Sequence, residues 1–235
     1  ETGSVSGTYT VSTTATVDVP LTVNFTMSGS AAVAASADYD LTGNASYVSG
    51  TGAGTATLPV GIAPSVVVTL TPVDDPRIEA TELAFLTLGA GSLYAVGIPA
   101  SGILGIVDND TATVTVAPVG APSESGPTSA AYSISTTDTL EIALTINFTM
   151  SGAAALAVGI DYTLSGNASY NPGTGAGTAT LPIAVVYLEW VPLSPTDDTI
   201  VEPTENADLT LNAGLRYVAG APAAATLSIA DNDLV

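Results

Sequence analysis

From Leu21 to Met27 the chain alternates without a break. Leu21, Val23, Phe25 and Met27 are apolar, and Thr22, Asn24 and Thr26 between them are polar. Leu144, Ile146, Phe148 and Met150 repeat the pattern further on. Successive side chains of a strand point to opposite faces, so a period of two predicts a strand with one face in a core and one in water. Thr111–Val116 alternates as well, with Val114 and Val116 set against Thr113 and Thr115. Val66, Val68 and Leu70, then Leu86 and Leu88, then Leu104 and Ile106 predict further short strands. Clusters of Gly, Pro, Asn and Ser punctuate them, and no long segment carries a capped helical period.

The pattern occurs twice. Asn-Phe-Thr-Met-Ser-Gly starts at 24 and again at 147, which lie 123 apart. Thr-Gly-Ala-Gly-Thr-Ala-Thr-Leu-Pro stands at 51–59 and at 174–182, and Asp108-Asn109-Asp110 is matched by Asp231-Asn232-Asp233, all at the same offset. Tyr94 matches Tyr217 and Pro99 matches Pro222. A fixed offset over 235 residues means two copies of one unit with no net insertion. The expected fold class is all-β: two tandem antiparallel β-sandwiches, a first domain over 1–112 and a second over 113–235, with the strand and linker 111–123 preceding the second domain's acidic motif.

Composition then removes whole classes of function. The chain has 22 acids, two bases and a formal charge of −20, yet only 10% of its residues are charged and 46% are hydrophobic, so it is not a disordered acidic tail. With only Arg77 and Arg216 basic, neutralising nucleic-acid phosphates is excluded, and an anionic membrane surface would repel the chain. No apolar run is long enough for a membrane span, so no direct membrane insertion is expected. His, Cys and Lys are all absent, which removes Ser-His-Asp and Cys-His catalysis, Schiff-base chemistry, zinc fingers and thiolate clusters. Oxygen-ligated cations remain, Ca²⁺ ahead of Mg²⁺ and Mn²⁺.

The acids are placed by the repeat. Glu1, Asp38, Asp74, Asp75, Glu79, Glu82, Asp108 and Asp110 fall 123 residues before Glu124, Asp161, Asp197, Asp198, Glu202, Glu205, Asp231 and Asp233. Asp18 lands on Glu141, and Asp40 alone lands on a non-acid, Thr163. Like charges gathered at one end of a sandwich repel unless a cation joins them. The competing reading is that Asp and Asn sit in turns for backbone reasons.

Glu1-Thr-Gly, Asp38-Tyr39, Asp74-Asp75 with Glu79 and Glu82, and the closing Asp-Asn-Asp resemble the Calx-β domain; the second copy resembles it equally. The resemblance implies immunoglobulin-like sandwiches whose motif acids hold Ca²⁺ at one end. In copy one the implied ligands are Glu1, Asp38, Asp74, Asp75, Glu79, Glu82, Asp108 and Asp110, with the Arg77 carbonyl beside them. In copy two they are Glu124, Asp161, Asp197, Asp198, Glu202, Glu205, Asp231 and Asp233, with the Ile200 carbonyl. The middle of each triplet is Asn109 or Asn232, where the strongest Ca²⁺ binders of that family carry a third Asp, and this lowers the ligand charge.

Paired acids are also the machinery of glycoside hydrolysis, but here every acid has a repeat-fixed structural reading, so no catalytic residue and no enzyme activity are expected. Sequons at Asn24 and Asn147, on the polar faces of their strands, are candidate glycan sites, against coincidence in a Thr-rich chain. The functional expectation is a Ca²⁺-stabilised structural or adhesive repeat module, extracellular or at the cell surface, in a filament or a long array. Missing Lys, His and Cys and near-identical copies favour it. The alternative is a Ca²⁺-sensing domain pair of a membrane transporter. Residues 111–123 have no counterpart ahead of copy one in this sequence, so a bare sheet edge is expected there, open to head-to-tail self-association or to a neighbouring repeat.

Overall fold

The computed structural model describes residues 5–31, 38–48, 50–154, 161–184 and 186–234. The chain divides into two compact units: unit 1 is Glu1–Asp75 with Ala80–Asn109, and unit 2 is Pro76–Glu79 with Asp110–Val235. Every regular element among the described residues is β-structure. The all-β class read from the alternation is the one observed.

Unit 1 contains β1 (Gly7–Ser12), β2 (Thr16–Val17), β3 (Leu21–Gly29), β4 (Tyr39–Gly43), β5 (Ala45–Tyr47), β6 (Ala53–Leu58), β7 (Gly61–Ile62), β8 (Ser65–Pro72), β9 (Glu82–Leu88) and β10 (Ser101–Ile106). They form one sheet in the order β1-β8-β4, a second in the order β10-β9-β3-β6-β5, and the small pair β2-β7. The inward residues of both larger sheets make one core: Tyr9 and Val11 of β1, Val66, Val68 and Leu70 of β8, and Val23, Phe25 and Met27 of β3. Burying each large apolar side chain contributes roughly 1.5–3 kcal/mol, which is why the apolar face of every strand turns to the opposite sheet. A buried hydrogen bond fixes the two sheets to each other, as the Tyr9 hydroxyl donates to the Ala84 carbonyl at 2.7 Å.

Unit 2 contains β11 (Ala112–Val119), β12 (Ala130–Thr136), β13 (Leu144–Gly152), β14 (Tyr162–Leu164), β15 (Ser169–Tyr170), β16 (Ala176–Leu181), β17 (Tyr187–Pro195), β18 (Glu205–Leu211), β19 (Tyr217–Ala219) and β20 (Ala224–Ile229). Its sheets run β14-β17-β12-β11-β19 and β15-β16-β13-β18-β20. The Tyr132 hydroxyl donates to the Ala207 carbonyl at 2.7 Å, the counterpart of the Tyr9 bond. The alternation expected over 111–116 extends as a strand to Val119, and β11 pairs antiparallel with β12 but parallel with β19.

The register explains several repeat-fixed residues. Phe25 lies opposite Gly54, and Phe148 lies opposite Gly177. A Cβ at Gly54 would stand 2.3 Å from the Phe25 ring, so the ring needs a glycine under it. Gly29 has φ of 133° and a Cβ there would stand 1.9 Å from the Leu83 carbonyl oxygen, so both backbone conformation and space demand glycine. Tyr94 and Tyr217 repeat because each hydroxyl accepts a strand N–H, from Asn24 at 2.8 Å and from Asn147 at 2.7 Å.

Candidate metal centre

Backbone pairing brings the acid-bearing segments of unit 2 together. Tyr162 of β14 pairs with Pro195 of β17, and the Thr196 N–H continues the ladder to the Asp161 carbonyl at 2.8 Å. That sets Asp161 opposite the start of the 196–198 loop, with Asp197 and Asp198. Glu205, first in β18, pairs with Ile229, last in β20, and so lies next to the triplet that follows β20. The Glu124 N–H donates to the Ala230 carbonyl at 3.0 Å, which sets Glu124 against the residue that precedes Asp231.

The side chains converge in two groups. Glu124, Asp231 and Asp233 each offer a carboxylate oxygen within 4.8 Å of the others, and so do Asp161, Glu202 and Glu205. Two oxygens on one Ca²⁺ at ~2.4 Å are at most ~4.8 Å apart, so each group is compact enough to share one ion. Glu124 is only 3% exposed, and its Oε2 has no hydrogen-bond partner. The Oδ2 of Asp233 is likewise buried without one. An unsatisfied buried carboxylate oxygen is costly, and an oxygen-seeking cation removes that cost.

Crowding moves the titrations. Burial, then the charges of Asp231, Asp198 and Glu202, push Glu124 up to about 7. Burial, a hydrogen bond with Asp161 and the charges of Asp161, Glu202 and Glu124 push Glu205 up to about 7. Glu202 and Asp233 are also raised, first by desolvation and then by neighbouring carboxylates. Asp231 goes the other way, because the N–H groups of Asp233 and Glu202 both donate to its carboxylate at 2.8 Å. Asp231 is therefore held ionised beside Glu124, Glu202, Glu205 and Asp233, whose ionisation burial and crowding oppose until a positive charge arrives.

Of the acids singled out in copy two, six form the two groups. Asp198 acts on them through its charge and accepts the Ile200 N–H at 2.6 Å. The Asn232 amide donates to Asp197 at 2.9 Å. That role was not legible in the sequence, where Asn232 reads only as a lost carboxylate. The structure makes it a neutral clamp that holds Asp197 beside the triplet. Arg77 pairs through its guanidinium with Glu141, and both belong to unit 2.

The copy-one acids are placed less simply. Glu1 lies outside the described residues. Asp38, Asp74, Asp75, Glu82 and Asp108 belong to unit 1, whereas Glu79, which is buried, and Asp110 belong to unit 2. Within unit 1 the same pairings recur. The Val73 N–H donates to the Asp38 carbonyl at 2.9 Å, and Glu82 pairs with Ile106 two residues before Asp108.

No protein-family model matches the chain, and no curated protein matches it. Among solved structures it is similar to CBD12 from CALX1.2, at 14% identity and a TM-score of 0.33, covering 86% of this chain and 73% of that one. It is also similar to the calcium binding domain CBD12 of CALX1.1, at 13% identity and a TM-score of 0.33, covering 88% and 74%. Neither likeness places the chain in a family.

Proposed function

We propose that this chain is a Ca²⁺-stabilised structural module of the Calx-β kind, working outside the cell as part of a surface filament or a long repeat array. The observation that carries the Ca²⁺ reading is Glu124, a buried carboxylate with an unsatisfied oxygen, aimed into a group with Asp231 and Asp233. A cation there takes the place of a proton on Glu124, cancels the repulsion and ties the segment at Glu124 to the residues after β20. The ion's work is mechanical, and the reading assigns no catalysis. Absence of Lys, His and Cys and two copies that share a nine-residue identity support an exported repeat.

Melting with a chelator and with millimolar Ca²⁺ tests it. A ligand at a hundred times its Kd stabilises by ~2.7 kcal/mol, so Ca²⁺ is expected to raise the Tm by ~5 °C or more. Glu124→Gln combined with Asp231→Asn is expected to abolish most of the shift. An unchanged Tm across Ca²⁺ concentrations sinks the reading.

A further inference from the structure

Each unit has a corner where the chain steps from one sheet to the other. In unit 1 Asn44 alone separates β4, the edge of one sheet, from β5, the edge of the next. In unit 2 residues 165–168 separate β14 from β15, which are sheet edges in the same way. Both corners read Gly-Asn-Ala-Ser, from Gly43 to Ser46 and from Gly166 to Ser169. Gly43 and Gly166 have φ of 92° and 78°, so the bend itself calls for glycine. The asparagine after it, Asn44 or Asn167, is exposed, and so is the serine two places on, Ser46 or Ser169. Among the described residues β5 pairs only with β6 and β15 only with β16, so one side of each triplet is open.

Asn-x-Ser/Thr is the acceptor triplet for an N-linked oligosaccharide and belongs in a surface loop of an exported protein. The transferring enzyme takes the triplet into its own active site, so the backbone needs an open side and the amide and hydroxyl need to be accessible. The fold sorts the triplets by these requirements. Asn24 and Asn147 lie in β3 and β13, which are central strands with a bonded neighbour on each side. The Asn24 amide donates to the Ala90 carbonyl at 3.1 Å. The Thr149 hydroxyl, third in the Asn147 triplet, accepts from the Asn212 amide at 2.9 Å. Asn109 begins a further triplet, but Asp108 and Asp110 flank it, and their charge repels the anionic pyrophosphate of a sugar donor.

We propose that Asn44 and Asn167 are the N-glycosylation acceptors of this chain, with a polyisoprenyl-pyrophosphate oligosaccharide as donor. The amide nitrogen bonds to the anomeric carbon of the first sugar, and the bond from that carbon to the pyrophosphate oxygen breaks. The amide gives up one proton to solvent, and the lipid pyrophosphate leaves. A glycan at the corner overhangs two short edges at once, β4 with β5 or β14 with β15. Its bulk there blocks edge-to-edge pairing with another chain. The proposal rests on the extracellular half of the reading above and uses none of its Ca²⁺ half.

The test uses the folded full chain in chelator, a lipid-linked oligosaccharide and a single-subunit oligosaccharyltransferase that requires only the Asn-x-Ser/Thr triplet. The intact mass is expected to rise by two glycans. Peptide mapping is expected to place them on Asn44 and Asn167, with occupancy of Asn24, Asn109 and Asn147 lower by about tenfold or more. Asn44→Gln should remove one glycan, and Asn44→Gln with Asn167→Gln both. Ser46→Ala and Ser169→Ala should do the same while both asparagines stay in place. Isolated peptides spanning Asn24 and Asn147 should be modified as readily as one spanning Asn44, which assigns the choice to the fold. The assay needs neither Ca²⁺ nor export. Its failure is therefore distinct from failure of the reading above, which falls on an unchanged melting curve or on finding the chain inside the cells that make it. No transfer to the folded chain, transfer to Asn24 or Asn147 as fast as to Asn44, or glycans that persist in the Asn44→Gln/Asn167→Gln chain would overturn the proposal.

Discussion

Units 1 and 2 are built from nearly the same pattern, and they differ most at one sheet edge. In unit 2 the edge of β12 is covered by β11, and Tyr217 behind it is 1% exposed. In unit 1 the edge of β1 is uncovered among the described residues, and Tyr94 is half-buried. The strand that makes the difference lies between the two copies of the repeat. A unit's alternation specifies which face it buries, but the partner for its outer edge is a separate contribution.

The largest expected effect tests this division of labour. Val114→Asp puts a charge at a site with 0% exposure in an apolar core, a change expected to destabilise unit 2 by ~4 kcal/mol or more. Hydrogen exchange is the measurement. Protection in β12 and β18 is expected to collapse, while β3 and β9 keep theirs. Loss of protection in both units alike would mean that β11 supports more than its own sandwich.

A second comparison asks whether the open edge weakens the core behind it. Phe25 and Phe148 occupy equivalent positions, at 2% and 1% exposure, each under a glycine. Phe25→Ala and Phe148→Ala are each expected to cost ~3–5 kcal/mol in denaturant unfolding. Near-equal values would show that the core centre does not feel the edge. A clearly smaller loss at Phe25 would show that unit 1 is already loosened.

Much of this was readable beforehand, for a physical reason. A strand's burial is written in its own residues, so Leu21–Met27 and Leu144–Met150 declared their inward faces. The doubled acids were visible because few other charges compete with them. What could not be read depends on register. Glu124 and Asp233 are 109 positions apart, and they meet through the pairing of Glu124 with Ala230, which no periodicity announces. Asn232 as a donor to Asp197, and the division of the copy-one acids between the units, follow from loop paths that leave no periodic trace.

The acid groups give a pH test of unit 2 without metal. Glu124 and Glu205 titrate at about 7 in the folded protein, above the ~4.3 of a free glutamate. The folded state therefore holds more protons than the unfolded state between those values. Stability is then full below about 4 and falls as pH rises towards 7, by ~2 kcal/mol at pH 8 after allowance for mutual coupling. Melting in chelator is expected to show this decline, and Ca²⁺ should flatten or invert it. Glu124→Gln should remove about half of the slope. A metal-free Tm that rises between pH 5 and 8 would contradict the crowding on which the centre rests.

The smallest expected effect separates two ways of seating Pro76–Glu79 in unit 2. Arg77 pairs with Glu141 at 41% and 43% side-chain exposure, while Ile78 beside it is 1% exposed and bridges Leu140 through the backbone. The ion pair does not repeat, since 123 residues away stand Ile200 for Arg77 and Asp18 for Glu141. An exposed ion pair loses most of its Coulomb gain to solvent screening and side-chain entropy. Arg77→Ala is therefore expected to cost only ~0.2–1 kcal/mol, and less in high salt. Ile78→Ala removes packed core volume and is expected to cost ~2–4 kcal/mol, independent of salt. The two Ile78 backbone bonds, its N–H to the Thr139 carbonyl and the Glu141 N–H to its own carbonyl, both at 3.0 Å, survive either change. Equal losses for the two variants would mean that the charge pair, and not the buried side chain, seats this segment.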